Sequence, residues 1–360
     1  MKTKKSLIAI LLVMAMTLVA CGGGNNAKTN NNASADTSED GLKVGFVTDE
    51  GGVNDQSFNQ GVDEGLNKAK DELGVDYSYV ESHDPNDYSP NMETLLDQEK
   101  DLIVGAGFKM GETILTTAEN NPDIKFGIVD VDVTVDPDGE EVEAPDNIVG
   151  IMFRAQEPSF LVGYIAGLTT ETNKVGFVGG QEGNIIWGFD YGYRAGVDYA
   201  AKEKGEDIAV EVQYVGNFSD AQKGKSIATT MYQQGCDVVF HAAGGAGDGV
   251  IEAAKEQGKW VIGVDKDQYE VAPENVLTSA MKNADVAVYD LVKATLEGNF
   301  EGGKTIELGL SDDGAVGIAP TSDKNVAQEI LDKIPEIEEK IINGEIKVPY
   351  NQETYNEYQN

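Results

Sequence analysis

The sequence predicts an α/β protein of two similar lobes, each a parallel sheet covered by helices. Three observations lead there. Short apolar runs alternate with stretches of helical spacing along most of the chain. The heptapeptide KVGFVTD at residues 43–49 returns almost letter for letter as KVGFVGG at 174–180. Each copy opens the same series, β-α-β-α-β-α-β, with a Gly-rich end to the third strand and an Asp at the end of the fourth, Asp130 or Asp265. Two successive βαβ arrays imply two parallel sheets with helices on their faces.

In the first series, residues 44–47 read as a buried strand rich in β-branched and aromatic side chains. The chain then turns through Asp49, Gly51, Gly52 and Asn54 and takes helical spacing from Ser57. Val62, Leu66, Ala69 and Leu73 fall three or four apart, so a helix is expected over 58–73. A strand follows at 77–80. A short helix at 91–100 has Ser89 as its cap and Pro90 at the first helical position, where a missing N–H leaves no bond unmade. The strand at 102–104 ends in Gly105-Ala106-Gly107, a helix covers 111–120, and the strand at 126–129 ends at Asp130. A strand at 148–153 and a helix at 158–170 close the series.

The second series gives a strand at 174–180, a helix at 189–204, a strand at 210–215, a helix at 221–234 and a strand at 238–242 ending in Gly244-Gly245. A helix at 249–257 and a strand at 260–264 ending at Asp265 complete it. The tail carries a strand at 276–280, a helix at 284–296, apolar runs at 306–310 and 316–319, and a helix at 325–343. These segments are expected to cross between the lobes and cover their sheets, so the halves are not two beads on a string.

The N-terminus reads as an export signal. Lys2, Lys4 and Lys5 precede an apolar run at 7–18, which is the length of a signal core and short for a spanning helix. The run ends in LVACG, residues 18–22, which resembles the lipobox of bacterial lipoproteins. Residues 1–20 are then a signal peptide and Cys21 the acylated first residue of the mature chain. An uncleaved membrane helix is the alternative. Residues 21–40 are mainly Gly, Asn, Ser, Ala, Thr and Asp, a composition that buries no core and acts as a flexible lipidated tether.

Of the chain's 360 residues, about 320 remain for the body, enough for two domains of ordinary size. Net charge is −36 and the isoelectric point about 4.2. Such a field repels phosphate backbones, which argues against nucleic acid as a partner. The acidic run DVDVTVDPDG at 130–139 alternates Asp but lacks EF-hand spacing with its terminal Glu. Of the two cysteines, Cys236 precedes an apolar run and reads as a small core residue, so no disulfide to Cys21 is expected. His83 and His241 are the only histidines and neither sits in a zinc pattern, so no metal is expected. There is no GxSxG elbow and no phosphate-binding P-loop. GGAGDG at 244–249 matches a dinucleotide fingerprint only loosely and follows a third strand where the fingerprint would open a first. No cofactor is expected.

What remains is a set of polar and aromatic groups at the carboxyl ends of strands, where open α/β sheets place ligands. The first lobe offers Asp49, Phe58, Asn59 and Asp130, with Asn54 as a further possibility. The second offers Phe218, the Gly244 and Gly245 backbone and Asp265, and Lys282 follows the tail strand. If the lobes face each other, Phe58 and Phe218 can stack on the two faces of one flat ring. Ionised Asp accepts hydrogen bonds from ribose hydroxyls and ring N–H groups. Lys282 can neutralise one Asp and donate to an oxygen. Taken singly, each Asp is as readily a helix cap or turn residue.

Several longer segments resemble the basic membrane protein family, lipoprotein substrate-binding components of ABC importers for purine nucleosides. They are GFVTDEGGVNDQSFNQG (45–61), FRAQEPSFLVGYIAG (153–167), FDYGYRAGV (189–197), VIGVDKDQ (261–268) and LTSAMKNADVAVY (277–289). The resemblance covers about residues 42–320 and implies a type I periplasmic-binding-protein fold: two Rossmann-like α/β lobes joined by three crossing strands, with a ligand in the cleft. On that pattern lobe one comprises 41–155 plus about 281–308, and lobe two 156–280 plus about 309–350. Phe58 and Phe218 would sandwich a purine, with Asp49, Asn59 and Asp130 on or near the base. Gly244 or Gly245, Asp265 and Lys282 would hold the ribose. GNIIWGFDYG (183–192) departs from the Pro-containing form of the family and sets Trp187 near the cleft mouth, as an aromatic wall or as packing. The resemblance implies a monomeric, membrane-anchored receptor that docks on a permease and its ATPase, not an enzyme. Rival readings are a same-fold receptor for another flat ligand such as a flavin, a nucleoside sensor, and an extracellular nucleoside hydrolase using Asp49 and Asp130.

Overall fold

The strand opened by Lys43 lies at the heart of its sheet. In the computed structural model, residues 41–136 and 139–360 are described. The signal peptide, Cys21 and the tether lie outside the described residues, as does part of the acidic run. The first sheet has the order β11 (Lys304–Leu308), β5 (Ile148–Phe153), β4 (Lys125–Val129), β3 (Leu102–Ala106), β1 (Lys43–Val47), β2 (Asp76–Val80), all parallel. The second has the order β12 (Val316–Ile318), β10 (Val276–Lys282), β9 (Trp260–Asp265), β8 (Val238–Ala242), β6 (Lys174–Gly179), β7 (Ala209–Tyr214). Only the short β12 runs antiparallel to its neighbour. The two orders are the same when β1 is matched to β6 and β5 to β10, so the repeated heptapeptide marks a repeated topology.

Both sheets have an apolar core on each face, which is why their central strands read as unbroken apolar runs. Every residue of β3 and of β8 is buried. On the first sheet pack α1 (Phe58–Leu73), α2 (Tyr88–Asp97), α3 (Gly111–Asn120) and α8 (Ala284–Leu296). On the second pack α4 (Gln156–Thr169), α5 (Asn184–Lys204), α6 (Ala221–Gln233) and α7 (Gly247–Gln257). The chain passes between the halves three times: from β5 into α4, from β10 into α8, and from β11 to β12.

The structure differs from the sequence expectation at four helices. Asp84 opens the turn Pro85–Asp87 with a capping box, so α2 begins at Tyr88 and Pro90 sits inside its first turn rather than starting it. The second long helix starts at Asn184, five residues early, with Trp187 within it. The single helix expected over 325–343 is broken into α9 (Gln328–Leu331) and α10 (Ile334–Ile342), because Pro335 cannot continue a helix and is accommodated in the first turn of the next. A last helix, α11 (Gln352–Tyr358), docks by Tyr355 and Tyr358 onto α5, where the Tyr355 hydroxyl donates to Asp198 at 2.7 Å.

Helices α4 and α5 approach so closely that glycine is required at their contact. A Cβ at Gly196 would lie 2.0 Å from the Phe160 carbonyl oxygen, and one at Gly163 would lie 2.2 Å from that of Tyr193. Gly196→Ala is therefore expected to destabilise the protein by about 1–3 kcal/mol through overpacking, read from urea unfolding. An unchanged midpoint would show that the helices can separate at no cost.

Candidate functional site

A cleft of about 590 Å3, measured out to its mouth, lies at the carboxyl ends of both sheets. The loop from β1 to α1 builds one wall. Asp55 organises it: its carboxylate accepts from the backbone N–H of Ser57 (3.0 Å), Asn59 (2.9 Å) and Gln60 (3.1 Å) and so caps α1. Asn59 is locked in turn. Its side-chain amide donates to Asp49 Oδ1 at 2.6 Å and to Asp55 Oδ2 at 2.9 Å, and its oxygen accepts from the Asp49 N–H at 3.1 Å. Asn59 thus lines the cleft with both amide donors engaged, and its geometry fits the positioning of Asp49. Asp49 Oδ1 also accepts from Gly51 N–H, while Oδ2 faces Gly107, whose φ of 97° and bare α-carbon leave room for it. Burial pushes the Asp49 carboxyl up to about 7, against the pull of the Gly51 and Asn59 hydrogen bonds.

The floor is a buried ion cluster. Lys282, the last residue of β10, places Nζ 2.7 Å from Asp130 and 3.8 Å from Asp265. The two aspartates stand at matching places, one residue beyond β4 and at the last position of β9, and both hold positive φ, 67° and 62°. Positive φ is uncommon for residues other than glycine and clusters at functional sites. Burial pulls the Lys282 ammonium down, but Asp130 and Asp265 overcome it and the net shift is upward. Burial raises Asp265 to about 6, opposed by Lys282 and by the Ser57 hydroxyl, which donates to Asp265 Oδ2 at 2.5 Å. Three rings surround the ammonium: Phe58 at 4.3 Å, Phe189 at 5.7 Å and Phe153 at 5.8 Å from ring centroid to Nζ.

The opposite wall carries Phe218. Its ring lies against Gly180, where a Cβ would come within 2.3 Å of it. Gly180 is the counterpart of Asp49 in the repeated heptapeptide, so the half that lacks the carboxylate gains the seat for a ring. Phe108, beyond the third strand of the first sheet, meets Phe218 edge-on with centroids 6.2 Å apart, and Lys109 stands 5.6 Å over the same ring while pairing with Glu50 at 2.8 Å.

Asp49, Phe58, Asn59, Asp130, Phe218, Gly244, Gly245, Asp265 and Lys282 all line this one cleft. Asn54 does not; it is exposed on the outer turn. Trp187 does not either, although its neighbours Ile185 and Ile186 do. Sequence reasoning missed Asp55, Phe108, Lys109 and Phe189. Asp55 carried no ordinary cap signal, because Ser57 holds the position directly before α1. Phe108 and Lys109 directly follow the Gly-Ala-Gly end of the third strand and could have been read from the matching Gly244 and Gly245. Among the described residues, no group of three or more His, Cys, Asp or Glu is arranged to hold a metal, and no helix is long and apolar enough to cross a membrane. Among the described residues, no His, Cys or Ser lines the cleft. Its chemistry is acceptors, the paired ammoniums of Lys282 and Lys109, and aromatic faces, an arrangement suited to a flat polar molecule.

A family profile described as ABC transporter substrate-binding protein PnrA-like (Bmp) matches residues 42–352. The chain belongs to this family. A CD4+ T-cell-stimulating antigen of Listeria innocua is 40% identical over 97% of this chain and 99% of the relative. Basic membrane protein A of Borreliella burgdorferi is 41% identical over 88% of this chain and 90% of its own length. Among solved structures, a solute-binding protein of an ABC transporter system from Aeropyrum pernix superposes with a TM-score of 0.78 at 30% identity, covering 88% of this chain and 96% of that one. The fold is thus of the type I periplasmic-binding kind, and the chain is a Bmp-family substrate-binding protein. Membership implies a small-molecule ligand and permease and ATPase partners, which fits a binding protein rather than an enzyme.

Two outcomes follow from the buried charges. Lys282→Met leaves Asp130 and Asp265 without their counter-ion and is expected to cost about 3–5 kcal/mol in urea unfolding at neutral pH; a loss below about 1 kcal/mol would mean that the cluster does not hold the floor together. Asp49 keeps its proton in the folded state between its ordinary value of 3.8 and about 7, where the unfolded chain has released it. The contribution of Asp49 to stability therefore falls as pH rises through that window. Asp49→Asn should remove that contribution when unfolding midpoints are compared across the window, leaving those of Asp265 and Asp248, which have the same sign, and of His241, which opposes them. A slope equal to that of the parent protein would assign the retained proton elsewhere.

Proposed function

We propose that this protein is a lipid-anchored extracytoplasmic receptor that closes over a purine nucleoside and delivers it to an ABC importer. The observation that carries the reading is that Phe58 and Phe218 line one cleft from opposite halves, with Asp49, Asp130, Asp265 and Lys282 around them. Rings on both sides suit the two faces of a heteroaromatic base, at about 1–3 kcal/mol per stacked face. Carboxylates suit the N–H groups of a base and the hydroxyls of a ribose, because an ionised carboxylate can accept bidentately. Both lysines of the cleft are already committed, Lys282 to Asp130 and Asp265 and Lys109 to Glu50, so this acidic cleft is a poor host for phosphate, which favours nucleosides over nucleotides. The lipobox-like LVACG at residues 18–22 supports acylation of Cys21, which would tether a monomeric receptor at the outer face of the cell membrane. Permease and ATPase subunits are its partners, and the strong negative charge argues against nucleic acid.

Mass spectrometry of the ligand that co-purifies, together with calorimetry on adenosine, guanosine and inosine, tests the reading. Phe58→Ala is expected to weaken binding by about 1–3 kcal/mol without unfolding the body. Asp265→Ala should harm adenosine far more than adenine, and equal losses would remove Asp265 from the sugar. A flavin recovered in place of a purine would sink the nucleoside assignment, and free base released from inosine would make the protein a hydrolase.

A further inference from the structure

Beneath the cleft, and not lining it, lies a pair of buried polar side chains. His241 on β8 is fully buried, and its ring packs under Gly247, where a Cβ would come within 2.2 Å of it. Its Nε2 stands 3.0 Å from the side-chain oxygen of Gln268, which is 2% exposed. The orientation of that amide is forced. The Val264 N–H, which can only donate, points at the same Gln268 oxygen at 3.1 Å. The Gln268 nitrogen therefore faces the other way, where it donates to the main-chain carbonyl of Gln56 in the other half at 3.0 Å. With the Gln268 oxygen accepting, His241 must carry its proton on Nε2, and its Nδ1 is left buried without a partner. Burial pulls the imidazole down to about 4, so the ring is neutral at physiological pH.

The receiving residue is equally particular. Gln56 holds φ of 55° between Asp55, the cap of α1, and Ser57, whose hydroxyl donates to Asp265. Lys266 of the same second-half loop pairs with Glu64 on α1. The 265–268 loop of one half thus grips the start of α1 in the other, and α1 begins with Phe58 and Asn59.

We propose that Gln268, aimed by His241, is a positioning residue that latches the α1 start of the first half onto the second and so sets how long a ligand is retained, without touching the ligand. The proposal rests on the reading of the cleft as a closing receptor site and not on which ligand fills it. A carbonyl acceptor on Gln56 and a fixed N–H donor on Gln268 make the latch independent of the identity of the side chain at position 56.

Two variants of the full-length chain remove the donor by different means. Gln268→Glu keeps an acceptor for Val264 and His241, and Gln268→Met is neutral and of similar length. Hydrogen exchange of the ligand-free proteins is followed by mass spectrometry over residues 53–60 and, as a reference, over β8 and β9. Both variants are expected to speed exchange about tenfold at 53–60 and to leave the reference strands unchanged. With adenosine as the probe, stopped flow should show release faster by about tenfold and association nearly unchanged. Unchanged exchange at 53–60, a rise spread equally over β8 and β9, or faster exchange with unaltered adenosine release overturns the proposal. If the parent protein fails to bind adenosine, the nucleoside assignment falls, while the exchange result still decides the latch.

Discussion

The placement of Lys282 is the constraint on which the cleft depends. An ammonium taken out of water needs close counter-charges, and this one receives a carboxylate from each half, Asp130 and Asp265. Neither aspartate reaches it from ordinary extended backbone; each leaves its strand with positive φ. Removing such a charge pair in favour of apolar groups is often tolerated or stabilising, so the cluster is poorly explained as a stability device. It is better explained as a fixed point of charge. The rings of Phe58, Phe153 and Phe189 surround the ammonium, and both carboxylates line the cavity.

Around that point the two halves share a frame but differ in contents. Both sheets have the same strand order, and both fourth strands deliver an aspartate. The symmetry breaks at the ends of the first strands. Asp49 brings a carboxyl that burial keeps near neutrality, and Gly180 brings no side chain at all, which lets the ring of Phe218 settle there. One half therefore presents a polar edge where the other presents an aromatic face. A ligand with a flat apolar surface and a polar rim fits such unlike walls better than two copies of either.

Much of this was legible in the sequence because it rests on short-range pattern. Parallel strands buried on both faces must be apolar throughout, so runs such as 102–104 and 238–242 announce themselves, and the repeated heptapeptide fixes the duplication. Residues at the carboxyl ends of strands are predictable in place, which is why the groups picked there share one cleft. Three-dimensional dependence hid the rest. Asp55 is recognisable as a cap only once the helix start is fixed, and Asn59 lines the cleft with donors already engaged by Asp49 and Asp55. Phe108 matters through its contact with Phe218, more than a hundred residues away. The outward-turned Asn54 and Trp187 have the right residue types and sequence neighbourhoods, but a turn and a helix face point them elsewhere.

The three passages of chain between the halves carry a consequence for how the molecule comes apart. The first half does not finish with β5: its outer strand β11 and its covering helix α8 arrive only after five strands of the second half, β6 to β10, have been made. The second half in turn receives β12 last. Neither half is a contiguous piece of polypeptide, so neither can complete its sheet while the other is unformed. Despite the duplicated plan, folding is expected to proceed as one cooperative event, and motion between the halves is confined to bending at the three connections that join them.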